Sequence, residues 1–271
     1  MRYREYLISL NIKYFFIGFI IGLLLMWMTE NEKLCEDKIV YEERIIENEK
    51  IIYKNPITYD FKSQSNEDKA LYEMIFKEHE PKYGGVIVEM GALDGLLYSI
   101  SWFFESQMYW KSVLIEANPK NFEKLVKNRP KSVKINAAVC KGENITFIGN
   151  GAVGGVNNYM KDGHKNRWIR ENDVNVTVPC TDFKSIFETH YITGIDVFIL
   201  DVEGAEYESL QLMDWSVPVG IWVIELSGGD KDGLVRQLLY DNGYIDTDWD
   251  IRDFCVKGGD CSSNECFVKI K

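Results

Sequence analysis

Residues 84–95 read GGVIVEMGALDG. An unbroken apolar run, Val86 to Val88, leads into Glu89, then Gly91, Asp94 and Gly95. Apolar residues without polar alternation mark a strand buried on both faces. Glycines at its exit let backbone approach a ligand with no side chain in the way. The same pattern recurs outward along the chain. Further apolar strands are predicted over 112–119 (SVLIEANP), 133–140 (VKINAAVC), 195–204 (IDVFILDVEG) and 220–227 (GIWVIELS). Segments of helical spacing separate them. One is SNEDKALYEMIFKEHE, with Ser65 as candidate cap; the next carries Leu96, Leu97, Ile100, Phe103 and Phe104. NFEKLVKN follows, then FKSIFETH capped by Thr181 or Asp182, GAEYESLQLM, and DGLVRQLLYDNG, which Gly243 ends.

Continuously apolar strands that alternate with helices build a parallel sheet covered on both faces. The last two strands, near 244–256 and 266–270, have no helix between them and should pair as an antiparallel hairpin. The expected fold is α/β, with a mostly parallel seven-stranded sheet. Such sheets bind ligands at the carboxyl ends of their strands, where the strand order reverses. Glu89 to Gly95 would leave the first strand there. Glu116 ends the second strand about 20 residues beyond the glycine loop, where an acid can accept both ribose hydroxyls of a nucleoside. A dinucleotide fingerprint needs a middle glycine that Gly91-Ala-Leu-Asp-Gly95 lacks. An acid-flanked loop suits a cofactor with no phosphate and a cationic centre, properties that S-adenosylmethionine has.

VIVEMGALDGLLYS, VLIEANP, INAAVC, VTVPCTDFKSIF, IDVFILDVEGAEYESL and WVIELS occur in the order found in FkbM-type methyltransferases. The resemblance covers roughly residues 68–270, and Asp201-Val-Glu-Gly-Ala-Glu206 is its most specific run. It implies a Rossmann-like class I methyltransferase fold, S-adenosylmethionine as donor and an oxygen acceptor. It implies that Glu89, Gly91, Asp94 and Gly95 surround the donor, that Glu116 holds its ribose and that Asp182 lies near its adenine. Asp201, Glu203 and Glu206 match the motif that faces the methyl group and the acceptor.

Methyl transfer to oxygen needs two aligned centres and a base for the hydroxyl proton. Glu203, with Asp201, is placed for that at a strand's carboxyl end. The competing readings are that Asp201 and Glu203 hold the loop by accepting backbone N–H bonds, or that with Glu225 they bind a metal. The region 150–175 holds His164 among Lys161, Lys165, Arg167 and Arg170. It reads either as a lid or acceptor surface or as a solvated charged face. Trp102, Trp110 and Trp222 read as core.

The formal net charge of −11 over 271 residues argues against a nucleic-acid partner. Tyr14 to Met28, YFFIGFIIGLLLMWM, carries no charge and reads as a short transmembrane signal anchor, with residues 1–13 as a cytoplasmic tail. A cleaved signal peptide is the competing reading, but small residues at a cleavage site are missing. Arg2, Arg4 and Lys13 precede the segment, which puts the catalytic domain in a lumen or outside the cell. That is a single-pass type II membrane protein. Residues 29–60 read as a stem, either a short helix or an extended spacer, and 61–271 as the catalytic domain. Two sequons, at Asn144 and Asn175, suit that side. Six cysteines are compatible with an oxidising compartment: Cys35 could join two chains into a homodimer, and one or two disulfides are expected, with Cys140–Cys180 one candidate among pairings the sequence leaves open.

The function these features favour is a membrane-anchored, S-adenosylmethionine-dependent methyltransferase acting on a hydroxyl of a glycan, lipid or small metabolite. An anchored glycosyltransferase using Asp246 to Asp248 on a metal–nucleotide pair, or a non-catalytic binding module, are the alternatives.

Overall fold

The computed structural model describes residues 44–47, 50–53, 59–76, 84–226, 228–247 and 264–269. The chain divides into two compact units, Met1–Thr58 and Tyr59–Lys271. In the first, β1 (Arg44–Glu47) and β2 (Lys50–Tyr53) pair antiparallel, with Ile45 opposite Ile52 and Ile46 opposite Ile51. Within the stem, these two described stretches thus pair as antiparallel strands. Tyr14–Met28 and Cys35 lie outside the described residues. Among the described residues no helix is long and apolar enough to cross a membrane.

The second unit begins with α1 (Glu67–Leu71), extended by a π-helical turn over Tyr72–Phe76. Asn66, not Ser65, is its N-cap, and the buried Asp68 carboxylate ties the segment down by accepting from Lys62 N, Ser63 N and Ser63 Oγ. Then follow β3 (Val86–Met90), α2 (Ser101–Met108), β4 (Lys111–Ile115), α3 (Pro119–Asn128) and β5 (Val133–Ile135). The predicted third strand is split. Only Val133–Ile135 joins the main sheet; Ala138–Val139 forms β6 in a second sheet with β7 (Asn144–Ile148), β8 (Gly155–Val156) and β9 (Asn175–Thr181). Helix α4 (Asp162–Trp168) lies between β8 and β9. The main fold resumes with α5 (Phe183–His190), β10 (Ile195–Leu200), α6 (Glu206–Leu210), β11 (Val219–Glu225), α7 (Asp232–Asp241), β12 (Tyr244–Asp246) and β13 (Asn264–Lys269).

The main sheet has the order β12-β13-β11-β10-β3-β4-β5, with only β13 antiparallel to its neighbours. The chain runs outward from β3 to β5 and returns to β10 beside β3, so the strand order reverses between those two. The strands are buried on both faces, and period two sorts their side chains. Val88, Phe198, Leu200, Trp222 and Ile224 join Phe183 and Phe187 of α5 in one core. Ile87, Val197, Ile199, Ile221 and Val223 pack with Phe103, Phe104 and Trp110 in the other. The central strands β3, β4, β10 and β11 therefore carry apolar residues on both faces, which is why the sequence shows runs there in place of alternation. Cys140 and Cys180 are disulfide-bonded, with their Cα atoms 5.1 Å apart. This bond closes the second sheet where β6 pairs with β9.

Candidate active site

The last paired row across the central strands is Met90, Leu200 and Ile224. One residue further on stand Gly91, Asp201 and Glu225. Gly91 has φ 92° and donates to Ile115 O, while Asp201 N donates to Met90 O. A Cβ on Gly91 would overlap the Asp201 carbonyl oxygen. The glycine is thus required by the approach of two chain segments. Gly95, φ 79°, has a similar reason: a Cβ there would lie 2.5 Å from Leu125 Cδ1 and 2.6 Å from Arg129 Cγ.

Glu89 is buried, and its carboxylate accepts from Ser101 Oγ at 2.6 Å, Ser99 Oγ at 2.8 Å and Ile100 N at 2.8 Å. Burial raises its proton affinity; Ser101, Arg129 and Ser99 oppose that. These bonds hold residues 91–100 as a loop, so helix α2 starts at Ser101, later than the apolar spacing of Leu96 and Leu97 predicts. Arg129, 2% exposed, ties the same loop to α3: it donates to Gly95 O, Ser99 Oγ and Ser101 Oγ and pairs with Glu105 at 2.6 Å. Nothing in the spacing of Arg129 distinguishes it from a surface arginine at a helix end. Asp94 accepts from Leu96 N and Leu97 N, closing the turn.

Glu116, 6% exposed, accepts from Leu93 N at 2.8 Å through one oxygen and from Asn118 N at 2.7 Å through the other. It fastens the glycine loop to the end of β4. Burial pushes its carboxyl up to about 7, against the pull of those backbone donors.

Beyond β10 the chain turns sharply, with Glu203 at φ 57° and Gly204 at φ 103°. Glu206 holds this turn by accepting from Val202 N and Gly204 N, each at 3.1 Å. The loop-holding role weighed for Asp201 and Glu203 thus belongs to Glu206. Asp201 is exposed where the strand end opens onto a cavity. Desolvation, Glu225 and Glu203 hold its carboxyl well above the usual range. Glu203 is pushed up to about 8 by burial, Glu225 and Glu206, with Lys161 opposing. His164 Nδ1 of α4 lies 3.3 Å from Glu203 Oε2. Among the described residues no group of three His, Cys, Asp or Glu side chains could hold a metal ion.

A cavity of about 580 Å³ lies at these strand ends, within the range of small-molecule sites. Glu89, Gly91, Glu116, Asp201, Glu203 and Glu225 all line it. Three residues expected at the donor do not. Asp94 and Gly95 serve the turn and the packing on α3. Asp182 is the N-cap of α5, accepting from Ser185 N at 2.7 Å. On the far wall stand Gly151–Val156, His164, Arg167 and Trp168 of the second sheet and α4. The chemistry of this lining fits S-adenosylmethionine. A carboxylate with spare lone pairs ends β4, side-chain-free backbone ends β3, and several carboxyls surround the space a sulfonium would need.

The sequence from 89 to 245, more than half the chain, matches the family model of the methyltransferase FkbM domain. The chain belongs to the FkbM methyltransferase family. It is a methyltransferase with S-adenosylmethionine as its donor, and the family match excludes the glycosyltransferase reading. Asp246 accordingly sits on β12 at the sheet's edge, and Asp248 lies outside the described residues. No curated protein sequence matches this FkbM chain. Among solved structures it is similar to a TehB-like SAM-dependent methyltransferase from Corynebacterium glutamicum, with 12% identity over 76% of this chain and 88% of that one, TM-score 0.40. Aeropyrum pernix fibrillarin with natively bound S-adenosyl-L-methionine is also similar, with 12% identity over 69% and 66% and TM-score 0.37. Phosphoethanolamine N-methyltransferase 1 of Haemonchus contortus, in complex with phosphoethanolamine and S-adenosylhomocysteine, gives 15% identity over 90% and 44% and TM-score 0.37. Likenesses of that size add nothing to the family assignment.

Proposed function

We propose that this methyltransferase acts on a hydroxyl oxygen of a glycan, lipid or small metabolite while anchored in a membrane through Tyr14–Met28, with its catalytic unit lumenal or extracellular. The observation that carries the choice of oxygen is Glu203, a cavity carboxyl pushed up to about 8 beside Asp201 and Glu225. A hydroxyl needs a base poised near neutrality to take its proton as the new bond forms. When bound, S-adenosylmethionine supplies an electrophilic methyl group on a sulfonium. In this reading Glu116 accepts the ribose hydroxyls with the lone pairs its backbone donors leave free. Gly91 to Leu93 form the floor beneath the adenosyl part. Asp201 and Glu225 line the space beside the sulfonium, and Glu203 is the base. Glu89 lines the cavity, while Asp94, Gly95 and Asp182 act only on the loop and helix that frame it.

The anchored, lumenal reading draws support from the basic residues ahead of the apolar segment and from the Cys140–Cys180 disulfide, a bond typical of oxidising compartments. Asn144 and Asn175 are both exposed and open to glycosylation. Cys35 would link two such chains.

Incubating the full chain with ¹³C-methyl S-adenosylmethionine and separated glycan, lipid and metabolite fractions tests the acceptor. The ¹³C shift of the transferred methyl distinguishes oxygen from nitrogen or sulfur, and label on either of the latter rejects the proposal. Membrane sedimentation unaltered by deletion of residues 1–28 rejects the anchor.

A further inference from the structure

The insertion between β5 and α5 is built to touch the exit of β10. A Cβ on Gly155 of β8 would lie 3.2 Å from Glu203 Cβ, and one on Gly204 would lie 3.0 Å from Tyr159 O. Glycines at both points let the two segments meet, and α4 then brings His164 to Glu203. A carbonyl oxygen only accepts hydrogen bonds, so the 3.0 Å contact between His164 Nε2 and Val153 O places a proton on Nε2. Nδ1 then faces Glu203 Oε2 at 3.3 Å. One further proton, on either Nδ1 or Oε2, can bridge the two groups at that distance.

We propose that Glu203 and His164 work as one proton-accepting pair, with His164 as the positioning residue of a base that Glu203 alone would form poorly. The inference rests on the reading that the acceptor is a hydroxyl. A lone pair of the acceptor oxygen forms the O–CH₃ bond while the S–CH₃ bonding pair stays on sulfur. The hydroxyl proton goes to Glu203 and is held between Oε2 and Nδ1. The sulfonium loses its positive charge, the pair loses its negative charge, and the acceptor stays neutral, so the site's net charge is unchanged. Val153 O fixes the ring's tautomer and orientation, as a carbonyl or carboxylate behind a histidine commonly does. The charged and titratable groups around the pair are Asp201, Glu225 and Glu206 on the sheet side, Lys161 just before α4, and Arg167 one turn beyond His164.

The test is an NMR titration of the full chain in detergent micelles, labelled with ¹³Cδ-glutamate and ¹⁵N-histidine, with no acceptor needed. The chain has three histidines, and Glu203→Gln and His164→Gln assign the two signals. In the wild type, the Glu203 carboxyl and the His164 Nδ1 signals are expected to move together over one interval near pH 8. In His164→Gln a side-chain N–H can donate to the carboxylate in place of a bare ring nitrogen, so the Glu203 midpoint should fall by about one pH unit or more. Signals that move over separate intervals in the wild type, or a midpoint unmoved in His164→Gln, overturn the pair. Calorimetry with S-adenosylmethionine on the same samples and the ¹³C-methyl label separate the two failures. Intact donor binding and label on oxygen, with uncoupled titrations, remove the pair and leave the O-methyltransferase. Label on nitrogen or sulfur removes the hydroxyl reading whatever the titration gives.

Discussion

Glu116 makes donor binding depend on pH in a way that one substitution isolates. In the ligand-free protein its carboxyl titrates near 7, because burial outweighs the backbone donors. Ribose hydroxyls donate hydrogen bonds and therefore bind the ionised form. Below its midpoint the carboxyl must lose a proton before the donor binds, and the apparent Kd rises by the factor 1 + 10^(7 − pH). That factor is about 11 at pH 6 and about 1.1 at pH 8, so affinity should tighten roughly tenfold between them. The linkage to folding has the opposite sign. Between about 4.5 and 7 the native state holds this proton and the unfolded chain does not, so stability falls as pH rises. With those two values the loss between pH 5 and 7 is about 2 kcal/mol. Isothermal calorimetry of S-adenosylmethionine binding to residues 59–271 at pH 6, 7 and 8 measures the first effect, and urea unfolding at pH 5 and 7 the second. Glu116→Gln keeps the size and removes the titration. It also turns one amide N–H toward Leu93 N or Asn118 N, at about 1–3 kcal/mol. Both pH slopes should flatten by the stated amounts in the variant. The donor's own amine titrates alike in both proteins and cancels. A variant with the wild-type pH dependence would refute the assignment of that proton to Glu116.

Gly91→Ala should cost roughly 2–4 kcal/mol, because left-handed strain adds to overlap with the Asp201 backbone. Gly142→Ala, at a similar φ of 95° but with nothing within 4 Å, should cost only about 1 kcal/mol; equal losses in chemical denaturation would show that the close approach is not what selects glycine. Replacing Cys140 and Cys180 by serine opens a loop of sequence separation 40 and should cost about 4 kcal/mol, read as a urea midpoint that matches the reduced wild type. Asp201→Asn should be more stable than wild type at pH 8, since a carboxyl held well above its usual range loses stability as pH rises, yet should transfer methyl groups more slowly. Thermal unfolding at pH 6 and 8, with incorporation of labelled methyl, checks both.

Apolar runs at 86–88, 113–115, 197–200 and 221–224 specified the parallel sheet in the sequence, because a strand buried on both faces leaves little room for polar residues. The acids at strand ends, Glu89, Glu116, Asp201 and Glu225, were visible for the same reason: a charge directly after a buried run must face a cavity or a partner. Cys140 and Cys180 were one candidate bridge among several, and only the fold pairs them. What each acid does was not legible either. Glu89 and Glu206 spend their oxygens on backbone and serine donors, while Asp201 and Glu203 face the cavity, and only the packing of neighbouring elements assigns those partners. Gly91 and Gly95 pointed to a ligand but answer to Asp201 and Leu125, residues 110 and 30 positions away. His164 lies 39 residues before Glu203 on a separate sheet, and sequence spacing carries no trace of a contact made by folding one insertion over the end of another strand.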